Sequence, residues 1–351
     1  MKPKTAPDTI WLVSTELKHG QGGISTALLG FIQSETLSSD KLNIITSHSG
    51  HAKYRLWIKS LWQVLTKVKS QDTIWLHCGN WFSTLRKITI AIAAKAKGAK
   101  VIFHLHEPMD KPIQQWWYQR LIKSVDYLAD GLIFLTPWGC SLVESKVSLS
   151  AKTAIIANPV DVVCLKHISK ARSYKQKSKI INVLSMARIE KSKGFDLVVR
   201  TAKYLPEQYH LTIAGDGPYL AQLKKDIKSS DLSHKITCLG WVSYENKHEI
   251  FEASDVFFLP TKLDSFGMCF IEAMSIGLPI VALDFGAIPY VVKHEITGFL
   301  SDSECPQQLA KSIEQAYIKR EHLGVNGKKH VKEQFCPELM SLKLLTFIKE
   351  L

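Results

Sequence analysis

The sequence predicts an α/β protein built from two consecutive doubly wound units with parallel sheets. Apolar runs of strand length alternate with longer amphipathic stretches along the whole chain. The alternation breaks once, after Asn158-Pro159, and restarts at Ile180. At 351 residues the chain also exceeds the roughly 250–300 residues at which one hydrophobic core stops growing.

In the first half, Ile10–Ser14 reads as a strand, and Gly23 to about Glu35 as a helix with Ile24, Ala27, Leu28 and Phe31 on one face. Further strands are expected at Leu42–Thr46, Thr73–His77, Lys100–Leu105, Leu132–Leu135 and Thr153–Ala157, with helical stretches between most of them. Pro159 closes this half, since proline disfavours helix before it and cannot donate to a sheet. The basic, weakly periodic stretch Lys166–Lys179 reads as a linker.

In the second half the strands are Ile180–Ser185, His210–Ala214, Lys235–Leu239, Asp255–Leu259 and Pro279–Leu283. Helices are expected at Phe195–Leu205, Leu220–Lys228, Glu245–Ala253 and Phe266–Ser275. The tail, Glu338–Leu351, repeats Leu339, Leu342, Leu345 and Ile348 at helical spacing and needs a surface to pack on.

Composition is that of a globular chain, 46% hydrophobic and 22% charged. No apolar run reaches the ~20 residues that span a bilayer, and Met1–Thr9 lacks the apolar core of a signal peptide, so a cytoplasmic location is expected. The seven cysteines, Cys78, Cys140, Cys164, Cys238, Cys269, Cys305 and Cys336, are odd in number and contain no Cys-x-x-Cys pair. They are expected to be reduced and mostly buried, not a disulfide framework or zinc site. The net charge of +13 suits an anionic partner or simply a basic solvated surface.

Parallel α/β sheets bind ligands at the carboxyl ends of their strands, where the next helix presents unpaired amides. Five segments carry polar or glycine residues there. In Asp255–Pro279, a buried strand ends at Pro260, Asp264 or Ser265 is placed to cap a helix from about Phe266 to Ile276, and Gly277 and Pro279 stop it. Gly267 admits a ligand close to the first-turn amides. Asp264 and Glu272 could accept from sugar hydroxyls, or be only a cap and a surface residue.

In Ser185–Asp196, Arg188, Lys191 and Lys193-Gly194 lie between a strand and a helix, as a diphosphate site or a solvated loop. Ala214-Gly215-Asp216-Gly217-Pro218 and Gly20-Gln21-Gly22-Gly23 are glycine turns of the same kind, and neither is a dinucleotide fingerprint or a P-loop. Phe103-His104-Leu105-His106-Glu107 places two histidines on one side of a strand end. A metal there lacks a third ligand with clear spacing, so a polar histidine at the mouth of a cleft is the expectation.

Together these segments resemble the retaining glycosyltransferase family 4, of the GT-B fold, in which two Rossmann-like domains face each other across a cleft. The resemblance covers essentially the whole chain. It is strongest over Ile181–Leu300, where Arg188, Lys193-Gly194, Gly215-Asp216-Gly217-Pro218, Gly240-Trp241-Val242, Pro260, Asp264-Ser-Phe-Gly267, Glu272-Ala-Met, Gly277-Leu-Pro279, Asp284-Phe-Gly286, Pro289 and Gly298-Phe-Leu follow in order. It implies an acceptor-side domain at 1–162, a nucleotide-sugar domain at 163–334, and a final helix at 335–351 that crosses back to the first.

The resemblance also implies roles. Arg188 and Lys193 hold the donor diphosphate and neutralise the leaving group, and Glu272 binds the ribose. Asp264, with the amides of Phe266, Gly267, Met268, Cys269 and Phe270, binds the donor sugar. His106 sits beside the transferred sugar, Gly22 and Gly23 approach the phosphates, Val242 lies near the base, and Gly215 joins the donor-binding set. Asp264 stands where the family usually has Glu, Ser265 where Gly is common, Ala187 where Gly precedes the Arg, and Gly286-Ala287 where Gly-Gly is usual. These departures bear on which sugar is carried.

The implied reaction is retaining and metal-independent, with no cofactor, a nucleotide-diphosphate sugar as donor, and same-face attack without a protein nucleophile. The expected acceptor is a glycan or a lipid-linked one in bacterial cell-surface polysaccharide or lipopolysaccharide synthesis. Trp57, Leu61, Val64, Leu65 and Val68 share one side of a predicted helix, and Trp116, Trp117 and Tyr118 with Arg120 form a second aromatic-basic segment. Either these fill the core, or they dock the protein peripherally on an anionic membrane. Competing readings are a sugar-nucleotide epimerase of the same fold and a non-enzymatic basic protein that binds membrane or nucleic acid. No nucleic-acid motif is evident, so nucleic acid is not an expected partner.

Overall fold

A computed structural model describes residues 9–17, 23–37, 42–49, 53–170, 172 and 180–351. They form two six-stranded sheets, each parallel throughout, so the expected pair of α/β units holds. The chain divides into Met1–Asp161 with Cys336–Leu351, and Val162–Phe335.

The first unit runs β1 (Ile10–Thr15), α1 (Gly23–Ile32), β2 (Leu42–His48), α2 (Lys53–Lys67), β3 (Thr73–Cys78), α3 (Trp81–Ala96), β4 (Lys100–Leu105), α4 (Trp116–Leu128), β5 (Gly131–Phe134), α5 (Pro137–Glu144) and β6 (Lys152–Ile155). Strand order is β2-β1-β3-β4-β5-β6. The order reverses at β1, so right-handed crossovers place α1 on one face and α2–α5 on the other. Val64, Ile90, Ile122 and Val143, one from each of α2–α5, join Ile74, Val101 and Leu132 in one buried cluster on that side. β3 is buried along its length, as a central strand covered on both faces must be.

The second unit opens with α6 (Val162–Ser169) and continues β7 (Ile181–Met186), α7 (Phe195–Ala202), β8 (Tyr209–Ala214), α8 (Leu220–Ser229), β9 (Ile236–Gly240), α9 (Tyr244–Glu252), β10 (Val256–Leu259), α10 (Met268–Ile276), β11 (Ile280–Leu283), α11 (Ile288–Val291), β12 (Gly298–Ser301), α12 (Pro306–Ile318) and α13 (Arg320–Gln334). Its strand order, β12-β11-β10-β7-β8-β9, reverses between β7 and β10. The last helix, α14 (Pro337–Glu350), packs in the first unit, with Phe347 against Gly131.

Three expectations are corrected. The start of the expected linker, residues 166–169, is the end of α6, and most of the remainder lies outside the described residues. The helix expected to reach Leu205 stops at Ala202, where the chain tightens into a turn closed by Tyr204 N on Thr201 O at 3.0 Å. The helix expected to reach about Glu35 stops at Ile32, where the Ser34 hydroxyl accepts the Thr36 amide and competes with the helical bond. As for the cysteines, only Cys78, Cys140 and Cys164 are fully buried, and none is in a disulfide.

One glycine fixes the geometry on which the second unit's site rests. Gly194, at the N-terminus of α7, has φ 78°, and a Cβ there would lie 2.1 Å from the Pro260 carbonyl oxygen. Backbone sign and close approach both demand glycine. Gly194→Ala is expected to destabilise the fold by about 2 kcal/mol or more, read as a lowered urea midpoint. An unchanged midpoint would show that the α7 entry tolerates a side chain.

Candidate functional site

The reversal between β7 and β10 leaves an uncovered crevice at the carboxyl ends of those strands, since the flanking crossovers leave in opposite directions. The segment after β7 carries Arg188 and Lys193, and the segment after β10 carries Asp264. Two braces hold the first of these. On one side the glycine turn after β8 grips it: Ile189 N donates to Asp216 O at 2.9 Å, and Gly215 sits so close to Ala187 O that a Cβ would be 2.0 Å away. On the other, Lys193 Nζ donates to Leu263 O at 2.7 Å and to Asp264 Oδ2 at 2.8 Å. Arg188 is 73% exposed, with Nε 2.9 Å from Glu190 Oε1, so it is the solvent-facing cation of the pair and Lys193 the shielded one.

Asp264 is not the helix cap. Its Oδ1 accepts the Phe266 amide at 3.2 Å while Oδ2 holds Lys193. The residue before α10 is Gly267 with φ 93°, and the helix starts at Met268. Phe266, expected inside the helix, is buried against Phe335 at 5.5 Å between ring centroids. Of the first-turn amides of α10, that of Phe270 donates to Gly267 O at 3.0 Å, and those of Met268 and Cys269 precede the first bond within the helix. Ser265 lies in the same turn.

Glu272 is buried within α10 and is no surface residue. Its Oε2 accepts from Lys247 Nζ of α9 at 2.5 Å. Burial alone would lower the Lys247 pKa, but the Glu272 carboxylate more than offsets this and leaves it raised. Lys247 is a site residue the sequence reading missed. Val242 is half-buried in the segment after β9, two residues past the strand end at Gly240.

The first unit presents different chemistry at its strand ends. β3 and β4 are in register with His77 opposite His104, and His106 follows β4 with its amide bonded to Cys78 O at 2.8 Å. The three imidazoles cluster, with His77 Nδ1 2.8 Å from His106 Nε2 and the His104 and His106 centroids 4.3 Å apart. All three are buried, His106 included, which was expected as a polar histidine at the mouth of a cleft. The third imidazole that the sequence reading lacked is His77, and one ring nitrogen from each of the three lies within 4.8 Å of the others. Glu107 is not in the cluster; its Oε2 accepts from Tyr118 OH at 2.8 Å.

Lys87 of α3 is buried close by, with Ser83 Oγ accepting from its Nζ at 3.1 Å. Burial pushes its pKa down to about 8. Of the predicted glycines in this unit, Gly23 is the first residue of α1, and Gly22 lies outside the described residues.

Comparison with known proteins places these features. Residues 168–330 match the family of glycosyl transferases group 1. That segment contains the crevice between β7 and β10. A GDP-mannose-dependent alpha-(1-6)-phosphatidylinositol monomannoside mannosyltransferase of Mycobacterium tuberculosis is 26% identical over 180 residues, 48% of this chain and 47% of that protein. The chain spans less than half the length of this and of two further curated relatives. An uncharacterized 41.2 kDa protein in the cps region of Klebsiella pneumoniae is 22% identical over 323 residues, 91% of this chain and 80% of its own. Among solved structures, Anabaena HepE in complex with UDP-glucose superposes with a TM-score of 0.79 at 18% identity, covering 98% of this chain and all of that one. That likeness is one of fold, and it agrees with two Rossmann-like domains.

Burial lowers all three histidines well below the usual 6.5, His106 to about 3, with Lys87 adding to the effect on His77 and His106. An unfolded chain takes up protons at these rings as pH falls through 6.5, whereas the folded one does not until far lower. Stability is therefore complete above that pH and falls below it. Each ring kept neutral is expected to contribute a slope of about 1.4 kcal/mol per pH unit. Urea unfolding between pH 7.5 and 5 reads this, and His104→Gln should flatten the slope. An identical slope in that variant would remove the histidines as its cause.

Proposed function

We propose that this chain is a retaining, metal-independent glycosyltransferase that moves a sugar from a nucleotide-diphosphate sugar to a glycan or lipid-linked acceptor. The observation that carries the reading is the meeting of Arg188, Lys193 and the start of α10 at the strand reversal of the second sheet, joined by the Lys193–Asp264 pair. Cleaving the anomeric C–O bond puts negative charge on the departing diphosphate. Preorganised cations and helix amides stabilise that charge most where they need not move. Lys193 is held by Asp264 and the Leu263 carbonyl, so its ammonium is oriented before donor arrives. Asp264 and Glu272 then serve as acceptors for sugar and ribose hydroxyls. The match of residues 168–330 to glycosyl transferases group 1 supports this assignment.

Arg188→Ala and Lys193→Ala are each expected to lower kcat/KM by on the order of a hundredfold or more. Because Lys193→Ala also strands the half-buried Asp264 carboxylate, Lys193→Ala/Asp264→Asn separates lost folding from lost catalysis. The double variant should regain the melting temperature and not the activity. A panel of nucleotide sugars should raise the melting temperature of the wild type by mass action, and turnover should persist in excess chelator. Near-normal rates in both single variants, or metal-reversible loss of activity, would overturn the assignment.

The proposed acceptor is membrane-borne, in bacterial surface-glycan synthesis on the cytoplasmic side. The M. tuberculosis relative is named for a phosphatidylinositol acceptor and the Klebsiella one for the cps region, which supports the class. The surface of the first unit adds physical support and revises the expected face. Val64 and Val68 are buried, and Trp57 and Leu61 pack on the core, with Trp57 Nε1 donating to Thr89 at 2.9 Å. The exposed row of α2 is Tyr54, Ile58, Trp62 and Leu65. Trp81, Phe82 and Leu85 of α3 and Trp116 and Trp117 of α4 extend it, with Trp81 and Trp117 in ring contact and Arg120 over the Trp116 ring.

So much exposed aromatic surface, with Lys and Arg around it, suits an anionic bilayer interface. Among the described residues no helix is long and apolar enough to cross a membrane. Trp62, 60% exposed, and Trp116, 67% exposed, can be changed to Ser without opening the core. Both changes should reduce co-sedimentation with anionic vesicles, and added salt should reduce it further. Equal binding to neutral vesicles by wild type and variants would count against the surface.

A further inference from the structure

We propose that His77 is a positioning residue for His106: it tethers the His106 ring through Nε2, so that Nδ1 is the nitrogen His106 offers to a substrate hydroxyl. The inference rests on the reading of His106 as an acceptor-side group. The tether is built by the sheet. The β3–β4 register sets His77 opposite His104, and the bond from His106 N to Cys78 O folds the chain back over the β3 end. That brings His106 Nε2 to 2.8 Å from His77 Nδ1. His77 in turn is fixed between the Trp75 ring at 4.3 Å and the His104 ring at 5.0 Å. His106 Nδ1 is buried and has no partner among the described residues, so it is a polar atom whose hydrogen bond a substrate hydroxyl would satisfy. If His77 donates, His106 carries its proton on Nδ1 and donates to the substrate. If His106 donates, Nδ1 is an acceptor. In both cases the other nitrogen is taken.

A divalent cation is the rival occupant of three clustered imidazoles, and three observations speak against it. Two nitrogens on one tetrahedral zinc lie about 3.3 Å apart, given bonds near 2.05 Å, whereas 2.8 Å is a hydrogen bond between rings. Ligating histidines donate their second nitrogen to a carboxylate or carbonyl, and His77 Nε2 and His106 Nδ1 have no such partner among the described residues. Lys87, a buried ammonium with Ser83 as its hydrogen-bond partner, lies near enough to disfavour further positive charge on His77 and His106. The charged and titratable groups facing the pair are Lys87, His104 and, across Cys78, Glu107, which Tyr118 holds.

The test compares His77→Asn, whose amide sits where Nδ1 was, with His77→Gln, which carries it further out, and His77→Phe, which removes it. His77→Phe is expected to lower kcat for transfer on the order of tenfold or more, as misplacement of a reacting group does, with donor KM changed less than about twofold. His77→Asn should recover most of that loss and His77→Gln little. Histidine-15N NMR of the full chain reads the tether directly, without turnover. His106 Nε2 should show a hydrogen-bonded shift that His77→Phe abolishes and His77→Asn keeps.

Equal kcat in all three variants at wild-type melting temperature would overturn the proposal. So would one equivalent of zinc bound per purified chain and lost in His77→Asn. If the wild type transfers no sugar from any donor, the proposed function fails while the NMR comparison still decides the tether.

Discussion

In a parallel sheet whose strand order reverses, the two crossovers at the reversal leave in opposite directions, and the gap between them at the carboxyl ends stays open. Both sheets of this molecule have such a reversal, and the second builds its candidate site there. In the second, the gap lies between β7 and β10, and the connections on either side carry opposite charges that meet as Lys193 and Asp264. The pair is partly shielded from solvent, and Lys193 also holds the Leu263 carbonyl. It therefore fixes backbone as well as charge. Gly194 and Gly215 let the surrounding loops close to distances that a side chain would forbid. The site is thus a consequence of topology first and of residue identity second.

Most strands and the cations at the β7 end were legible in the sequence because they follow strong local rules. β4 matches its expected bounds, and β7, β8 and β10 differ by about a residue, since buried parallel strands read as continuous apolar runs. Arg188, Lys193 and Glu272 stood out by their place at strand ends and a helix. Elements with weak periodicity were not legible. α13 is polar and packs on α10 through Gly327, whose Cβ would meet Met274 at 3.3 Å, so no apolar stripe announces it. β12 is only four residues long. The helix start at Met268 was misplaced because Asp264 resembles a cap in sequence and is instead claimed by Lys193 from another loop.

The missed site residues share one cause, which is that their partners are distant in sequence. Lys247 and Glu272 are joined between α9 and α10, and His77 and His106 between β3 and the end of β4. Lys87 alone left a local signal. It lies with Ser83, Ile90, Ala91 and Ala94 on the buried side of α3, and a lysine within such a stripe marks either a partner or a function.

Under the proposed glycosyl transfer, the two strand-end clusters would meet different electrostatic needs. On the proposed reading, a departing diphosphate would meet the held Lys193 ammonium and the exposed Arg188 guanidinium of the second unit. An attacking hydroxyl needs a neutral hydrogen-bonding group, because an imidazolium could only donate and would oppose loss of the hydroxyl proton. The first unit keeps its histidines neutral by burial, mutual crowding and the nearby Lys87 ammonium. A buried lysine without a carboxylate is costly to the fold. Lys87 stands beside His77 and His106 nonetheless, and its charge helps to suppress their protonation.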